Sequence, residues 1–109
     1  VSDFAREFDA VQREVHSIAL GHGWWDDPRS PTEALALVVC EVAEAIEGLR
    51  AGDPPSEHIP EYSAAEEECA DAVIRLMDLC ERKGWRLAEA IEAKCRYNSG
   101  RPYKHGKLF

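Results

Sequence analysis

The sequence predicts an all-α fold. Apolar residues recur at helical spacing along most of the chain, serine-led capping signals stand where the apolar runs begin, and no stretch alternates as a half-buried strand does. In order, Phe4, Phe8, Val11, Val15 and Ile18 step by four and three, which predicts one apolar stripe on a first helix over residues 1–20. The glycines and prolines of "GHGWWDDPRSP" make a loop. Ser30-Pro31-Thr32-Glu33 then opens a second helix, 31–50, with Ser30 as N-cap, Pro31 in the first turn and Glu33 completing a capping box. "AGDPPSEHIPEY" holds three prolines and reads as a connection long enough to suggest a role. Ser63 and Glu66 form a second capping box that opens a third helix, 63–83, and Gly84 ends it. A fourth helix covers 86–98, and 99–109 is a basic, irregular tail.

At 109 residues the chain is one domain, and 45% hydrophobic against 31% charged residues is an ordinary globular balance. A net charge of −8 argues against nucleic acid or an anionic membrane as partner, since either favours a basic face. The acidity is uneven. Lys94, Arg96, Arg101, Lys104 and Lys107 crowd the last stretch, which has no acid after Glu92, so the body is more acidic than the total suggests.

Cys40, Cys69, Cys80 and Cys95 form no CxxC or CxxH pair, which speaks against zinc. Their apolar helical contexts predict four buried, reduced thiols and hence a cytoplasmic protein. The first twenty residues are amphipathic, so no signal peptide is expected, and Glu41 interrupts the longest apolar run, so no membrane span is expected either.

That interruption is the most informative feature. In "LALVVCEVAEAI", Glu41 and Glu44 sit three apart in a segment apolar almost all the way round, and such a helix is expected to be buried. A buried carboxylate needs a positive partner. Glu68 and Asp71 repeat the three-residue spacing on the third helix. If the two helices pack antiparallel, the four carboxylates converge, and hard oxygen ligands of this kind suit Mg²⁺, with Mn²⁺ as a substitute. Each pair alone is weak evidence, because Glu68, Asp71, Arg75 and Asp78 also make a stripe that can simply face water. A di-iron site is excluded by the absence of any Glu-x-x-His. Near the end, Lys94, Asn98 and Arg101 offer ammonium, amide and guanidinium groups in succession, suited to phosphate or to the dipole of a helix C-terminus.

Taken together, Glu41-x-x-Glu44, the proline-rich connection, Glu68-x-x-Asp71 and Lys94-x-x-x-Asn98-x-x-Arg101, with the loop "GWWDDPR" and the tail "YNSGRPYKHGK", resemble the short single-domain members of the MazG-like all-α nucleoside triphosphate pyrophosphohydrolases. The resemblance implies a four- to five-helix MazG-like bundle that pairs with a second subunit as a homodimer or dimer of dimers. It implies Mg²⁺ on Glu41, Glu44, Glu68 and Asp71, phosphate contacts from Lys94, Asn98 and Arg101, and hydrolysis of (d)NTP to (d)NMP and pyrophosphate as house-cleaning. Glu41 or Glu44 is the expected water-activating base. Trp24 and His22 are candidates to meet the nucleobase, whereas Trp25 is expected to cover the bundle end and Trp85 to lie in the core. Arg75 departs from the family pattern and is placed to pair with Asp71 or Asp78. The rival readings are a sibling enzyme acting on dUTP or phosphoribosyl-ATP and a non-catalytic helical dimer that binds nucleotide or protein.

Overall fold

Ser30 and Ser63 each adopt an extended conformation and accept a hydrogen bond from the backbone N–H three residues on, Glu33 and Glu66 respectively, satisfying one orphan donor of each helix start. Glu33 does not close a full capping box, because its carboxylate pairs with Arg29 instead, at 3.3 Å. Gly84, at φ 70°, supplies the left-handed residue that stops the third helix, a conformation only glycine takes without cost. These signals set the element order in the computed structural model, which describes all 109 residues. The helices are α1 (Asp3–Gly21), α2 (Pro31–Arg50), α3 (Ala64–Lys83) and α4 (Leu87–Ser99), followed by a short 3₁₀ turn at Tyr103–Gly106. There is no strand, only an isolated bridge between Pro55 and Ser63 that closes the proline-rich connection. No helix is long and apolar enough to cross a membrane.

The dominant packing is α2 against α3, with α1 against α3 next and α4 resting on α1. Gly48 lies against Ala64 while Glu41 reaches Arg75, so α2 and α3 run antiparallel. Along α2, Ala34, Val38, Glu41, Ala45 and Gly48 face α3 at steps of four and three. Three of those five are Ala or Gly, and small residues let two helix backbones approach closely. A Cβ on Gly48 would stand 3.3 Å from that of Ala64. One residue further round, Leu35, Val39, Val42, Ile46 and Leu49 repeat the same spacing but stay exposed, Val39 most of all at 67%. The helix that reads as apolar all round therefore carries two seams, of which this chain covers one.

The α1 stripe is offset in the same way. Ala5 and Gln12 are buried, whereas Phe4, Val11 and Ile18 remain largely exposed. Three of the four thiols also fall outside expectation, since Cys40, Cys69 and Cys95 are exposed and only Cys80 is buried. Apolar neighbours in sequence do not bury a thiol when no other element covers that face. Trp85 is likewise 46% exposed rather than core. It follows the chain reversal at Gly84, and only its backbone is held, its N–H donating to the Cys80 carbonyl.

Only 12 of 109 residues are buried, and the radius of gyration is 16.3 Å, against about 13 Å for a compact domain of this length. With so thin a core, single positions matter. Leu79, 2% exposed on α3, is the largest fully buried side chain. Leu79→Ala should cost about 2–5 kcal/mol, read as a lowered urea midpoint with helicity otherwise retained below it.

Candidate functional site

The antiparallel α2–α3 pair brings carboxylates from both helices into one cluster. Oxygens of Glu41, Glu44 and Glu68 lie within 4.8 Å of one another, and Glu67, Glu68 and Asp71 form an overlapping group on the same criterion. Glu41 is 8% exposed, Glu68 and Asp71 are half-buried, and Glu44 is exposed at the rim. The positive partner that buried Glu41 requires is Arg75, whose Nε donates to Glu41 Oε1 at 2.8 Å. Arg75 thus pairs with neither Asp71 nor Asp78. The turn of α3 aims it across the helix interface instead of along its own helix.

Electrostatics follow from this crowding. Burial would raise the Glu41 pKa, but the Arg75 hydrogen bond and charge, with the Glu68 and Glu44 carboxyls alongside, hold it below the ordinary value. Glu68 is pushed up to about 8 by its hydrogen bond to Glu41, by burial and by the neighbouring Glu44. Asp71 is raised by burial and by the charges of Glu41 and Glu67. Three or four carboxylates at this spacing cannot all ionise without a cation, and Glu68 carries the proton in its place. The other oxygen of that group, Glu68 Oε2, is buried with no hydrogen-bond partner. An orphaned buried acceptor, an all-oxygen donor set and a proton shared among crowded carboxylates fit a hard divalent cation such as Mg²⁺ or Mn²⁺.

A stability signature follows for the chain without metal. Folded Glu68 keeps its proton to about pH 8, whereas in the unfolded chain it is lost near the ordinary 4.5. Between those values the folded state binds more protons, so stability is greatest below the lower value and is lost as pH rises through the upper one. Asp71 adds to this trend and Glu41 opposes it. Thermal unfolding in chelator should give a melting temperature that falls from about pH 5 to pH 8. Glu68→Gln should flatten that slope.

Sequence reasoning passed over Glu67 and Ser56, and His58, which the sequence offers as a loop histidine able to line the pocket or to face water, pairs with Glu67 instead. Ser56, 3% exposed in the proline-rich connection, donates through Oγ to Glu67 Oε1 at 2.5 Å and accepts from the backbone N–H groups of His58 and Ile59. His58 Nδ1 meets Glu67 Oε2 at 2.8 Å, and Glu67 and His58 shift each other's pKa in opposite directions, Glu67 down and His58 up, with the Ser56 hydrogen bond the larger influence on Glu67. The connection is therefore fastened to the first turns of α3 beside the cluster. The length of the connection and a serine two residues before a histidine in it were the available signal.

Next to the carboxylates, between α1, the α1–α2 loop and α3, lies a cavity of about 250 Å³. Its apolar wall comes from Val15, Ile18, Trp24 and Ile74. Glu41, Asp71, Arg75, Arg29 and Asp78 form the polar side, so cavity and cluster share two carboxylates. Asp78 anchors the loop. Trp25 Nε1–H donates to both its oxygens at 3.0 and 2.9 Å, and His16 Nδ1 to Oδ1 at 2.6 Å. Arg29 and Arg82 each place a guanidinium over the Trp25 ring, at 5.5 and 5.1 Å from its centroid. Trp25 is the structural tryptophan of the pair, and Trp24, 61% exposed, is the one that faces the cavity. His22 does not line it. Its Nδ1 donates to the Ile18 carbonyl at 2.9 Å, as a cap to α1.

The basic end is not part of this cluster within one chain. Lys94 and Arg101 stack on Tyr97, at 4.6 and 5.3 Å from the ring centroid, and neither they nor Asn98 bond to any of the four carboxylates. The reason is topological, since α4 packs on α1 and the carboxylates lie where α2 meets α3.

No family model matches the chain, and no solved structure matches it. Among curated proteins, a non-reducing polyketide synthase from Aspergillus terreus (strain NIH 2624 / FGSC A1156) is 30% identical over 101 residues. The match takes in 89% of this chain but only 4% of the synthase. A likeness confined to so small a part of a long protein does not carry that protein's activity across.

Proposed function

We propose that this protein is an Mg²⁺-dependent nucleoside triphosphate pyrophosphohydrolase of the MazG-like kind, converting (d)NTP and water to (d)NMP and pyrophosphate. One observation carries the reading above the others: carboxylates from two antiparallel helices converge around a buried, unpartnered oxygen of Glu68, beside a cavity of about 250 Å³. A triphosphate and the carboxylate cluster at the cavity's edge repel each other, and a cation between them removes that repulsion.

In this reading Glu41, Glu44, Glu68 and Asp71 hold Mg²⁺, or Mn²⁺ in its place. Bound there, the ion supplies Lewis-acid polarisation of the phosphate and neutralisation of its charge. Glu41 and Asp71 line the cavity and orient the substrate at its polar side. Glu44, exposed at the rim and not tied to Arg75, is the better placed of the two candidate bases to take the proton of an attacking water. Ser56, Glu67 and His58 keep the connection closed over the start of α3.

The same reading includes a second copy of the chain. Leu35, Val39, Val42, Ile46 and Leu49 make a heptad-spaced apolar seam that nothing in one chain covers, and the core is too thin for a bundle of this length. A homodimer, alone or doubled into a dimer of dimers, buries the seam. In such an assembly Lys94, Asn98 and Arg101 meet phosphates across the subunit contact. A cytoplasmic, house-cleaning role belongs to this reading as well.

The test is incubation with each common dNTP and NTP, with and without Mg²⁺, followed by separation of products. NMP plus pyrophosphate, formed only with the ion, is the expected result. NDP plus phosphate, or turnover in chelator, overturns the proposal.

A further inference from the structure

The cavity beside the carboxylates has an unusual balance of free donors and acceptors. Asp78 is the one acidic side chain lining it outside the carboxylate cluster, and both its oxygens are engaged by Trp25 and His16. Arg75 is anchored to Glu41 through Nε alone, and no hydrogen bond within the chain uses its Nη groups. Arg29 is held by an ion pair, its Nε 3.3 Å from the Glu33 carboxylate, with its guanidinium carbon over the Trp25 ring at 5.5 Å. Two guanidinium groups fixed by their stems thus offer unused donors to a space walled by Trp24, Ile18 and Ile74. At about 250 Å³ the space equals roughly eight waters' share of liquid volume, which suits one aromatic heterocycle.

We propose that this cavity selects nucleobases that present carbonyl oxygens (guanine, uracil, thymine) over those that present an exocyclic amine there (adenine, cytosine), with Arg75 and Arg29 as the discriminating groups. The choice rests on the pyrophosphohydrolase reading for the identity of the ligand as a nucleotide, and on donor–acceptor chemistry for the base. An arginine has donors and no acceptor. It pairs with O6 and N7 of guanine or O4 of a pyrimidine, and it opposes the N6 amine of adenine or the N4 amine of cytosine. An amine-bearing base needs a free carboxylate or carbonyl on the reading side; in the metal reading Glu41 and Asp71 serve the ion, and Asp78 already accepts from Trp25 and His16. Because each arginine is tethered at Nε, little side-chain freedom is lost on binding, which strengthens the preference.

The experiment is calorimetric titration of the full-length chain, in Mg²⁺, with dGMP, dUMP, dTMP, dAMP and dCMP, alongside hydrolysis of the matching triphosphates. The expected result is binding of the carbonyl-bearing set about tenfold or more tighter than the amine-bearing set. Arg75→Gln should erase most of that ratio. Arg29→Gln, whose ion pair is with Glu33 and not with the carboxylate cluster, should do so too, which separates base reading from any change at the carboxylates, and circular dichroism checks that both variants keep the fold. Equal binding, a preference for dAMP or dCMP, or no binding of any monophosphate overturns the proposal. A clear base preference without hydrolysis of any triphosphate sinks the enzymatic reading and leaves the pocket assignment standing. Metal-dependent hydrolysis blind to the base does the reverse.

Discussion

Asp71→Asn should leave the helices intact and reduce Mg²⁺-dependent release of pyrophosphate by at least roughly a hundredfold, since even outer-shell groups of metal sites cost 10–100-fold when removed. Asp71 is half-buried, lines the cavity and sits in the carboxylate cluster, and its pKa is raised by burial and by Glu41 and Glu67. Removing that charge lessens the repulsion on its neighbours, so the metal-free chain should become slightly more stable near neutral pH while its affinity for Mn²⁺ falls. Opposite movements of stability and affinity mark a ligand and not a packing residue. The measurements are a melting curve in chelator and a Mn²⁺ titration followed by electron paramagnetic resonance. Unchanged turnover in this variant would remove Asp71 from the metal set.

A second large effect is expected on assembly. Val39 is the most exposed member of the outer α2 seam and makes little contact within its own chain. Val39→Glu should therefore cost an isolated chain no more than about 0.5 kcal/mol. In a dimer closed by that seam it buries a carboxylate among Val42, Ile46 and Leu35, which costs several kcal/mol and raises the dissociation constant by about a hundredfold or more. Sedimentation velocity should show a dimer for the parent chain and a monomer for the variant, and the melting temperature of the parent alone should rise with protein concentration. A variant that remains dimeric places the subunit contact elsewhere.

The helix boundaries were legible because their signals are local. Ser30, Ser63 and Gly84 act through bonds and dihedrals within a few residues, and tertiary context does not alter them. Glu41 was legible for a related reason, since a charge in an apolar run is anomalous whatever surrounds it. What could not be read was which face of each helix meets which neighbour. α3 carries charges on most of its circumference, so its periodicity did not say that Arg75 would cross to Glu41 while Asp78 turned towards Trp25 and His16. Residue type places the four cysteines and Trp85 in a core, but burial depends on a covering element, and for Cys40, Cys69, Cys95 and Trp85 this chain supplies none. The separation of Lys94, Asn98 and Arg101 from the carboxylates is of the same kind, because order along the chain does not reveal that α4 leans on α1.

The one-residue offset between the two α2 seams has an evolutionary consequence. Neighbouring positions on a helix stand about 100° apart, so Val38 and Val39, Glu41 and Val42, or Ala45 and Ile46 answer to different constraints although they touch in sequence. Inner positions are limited to small side chains and one acid, and outer positions must stay apolar. Only the third face, with Ala36, Cys40, Ala43 and Glu47, all exposed, is left free to drift. Among descendants of this sequence, substitutions in α2 should collect on that face. A single insertion or deletion within the helix should be purged, because every residue beyond it turns by about 100°: an insertion carries the acid into the outer seam, and a deletion carries the outer seam onto α3.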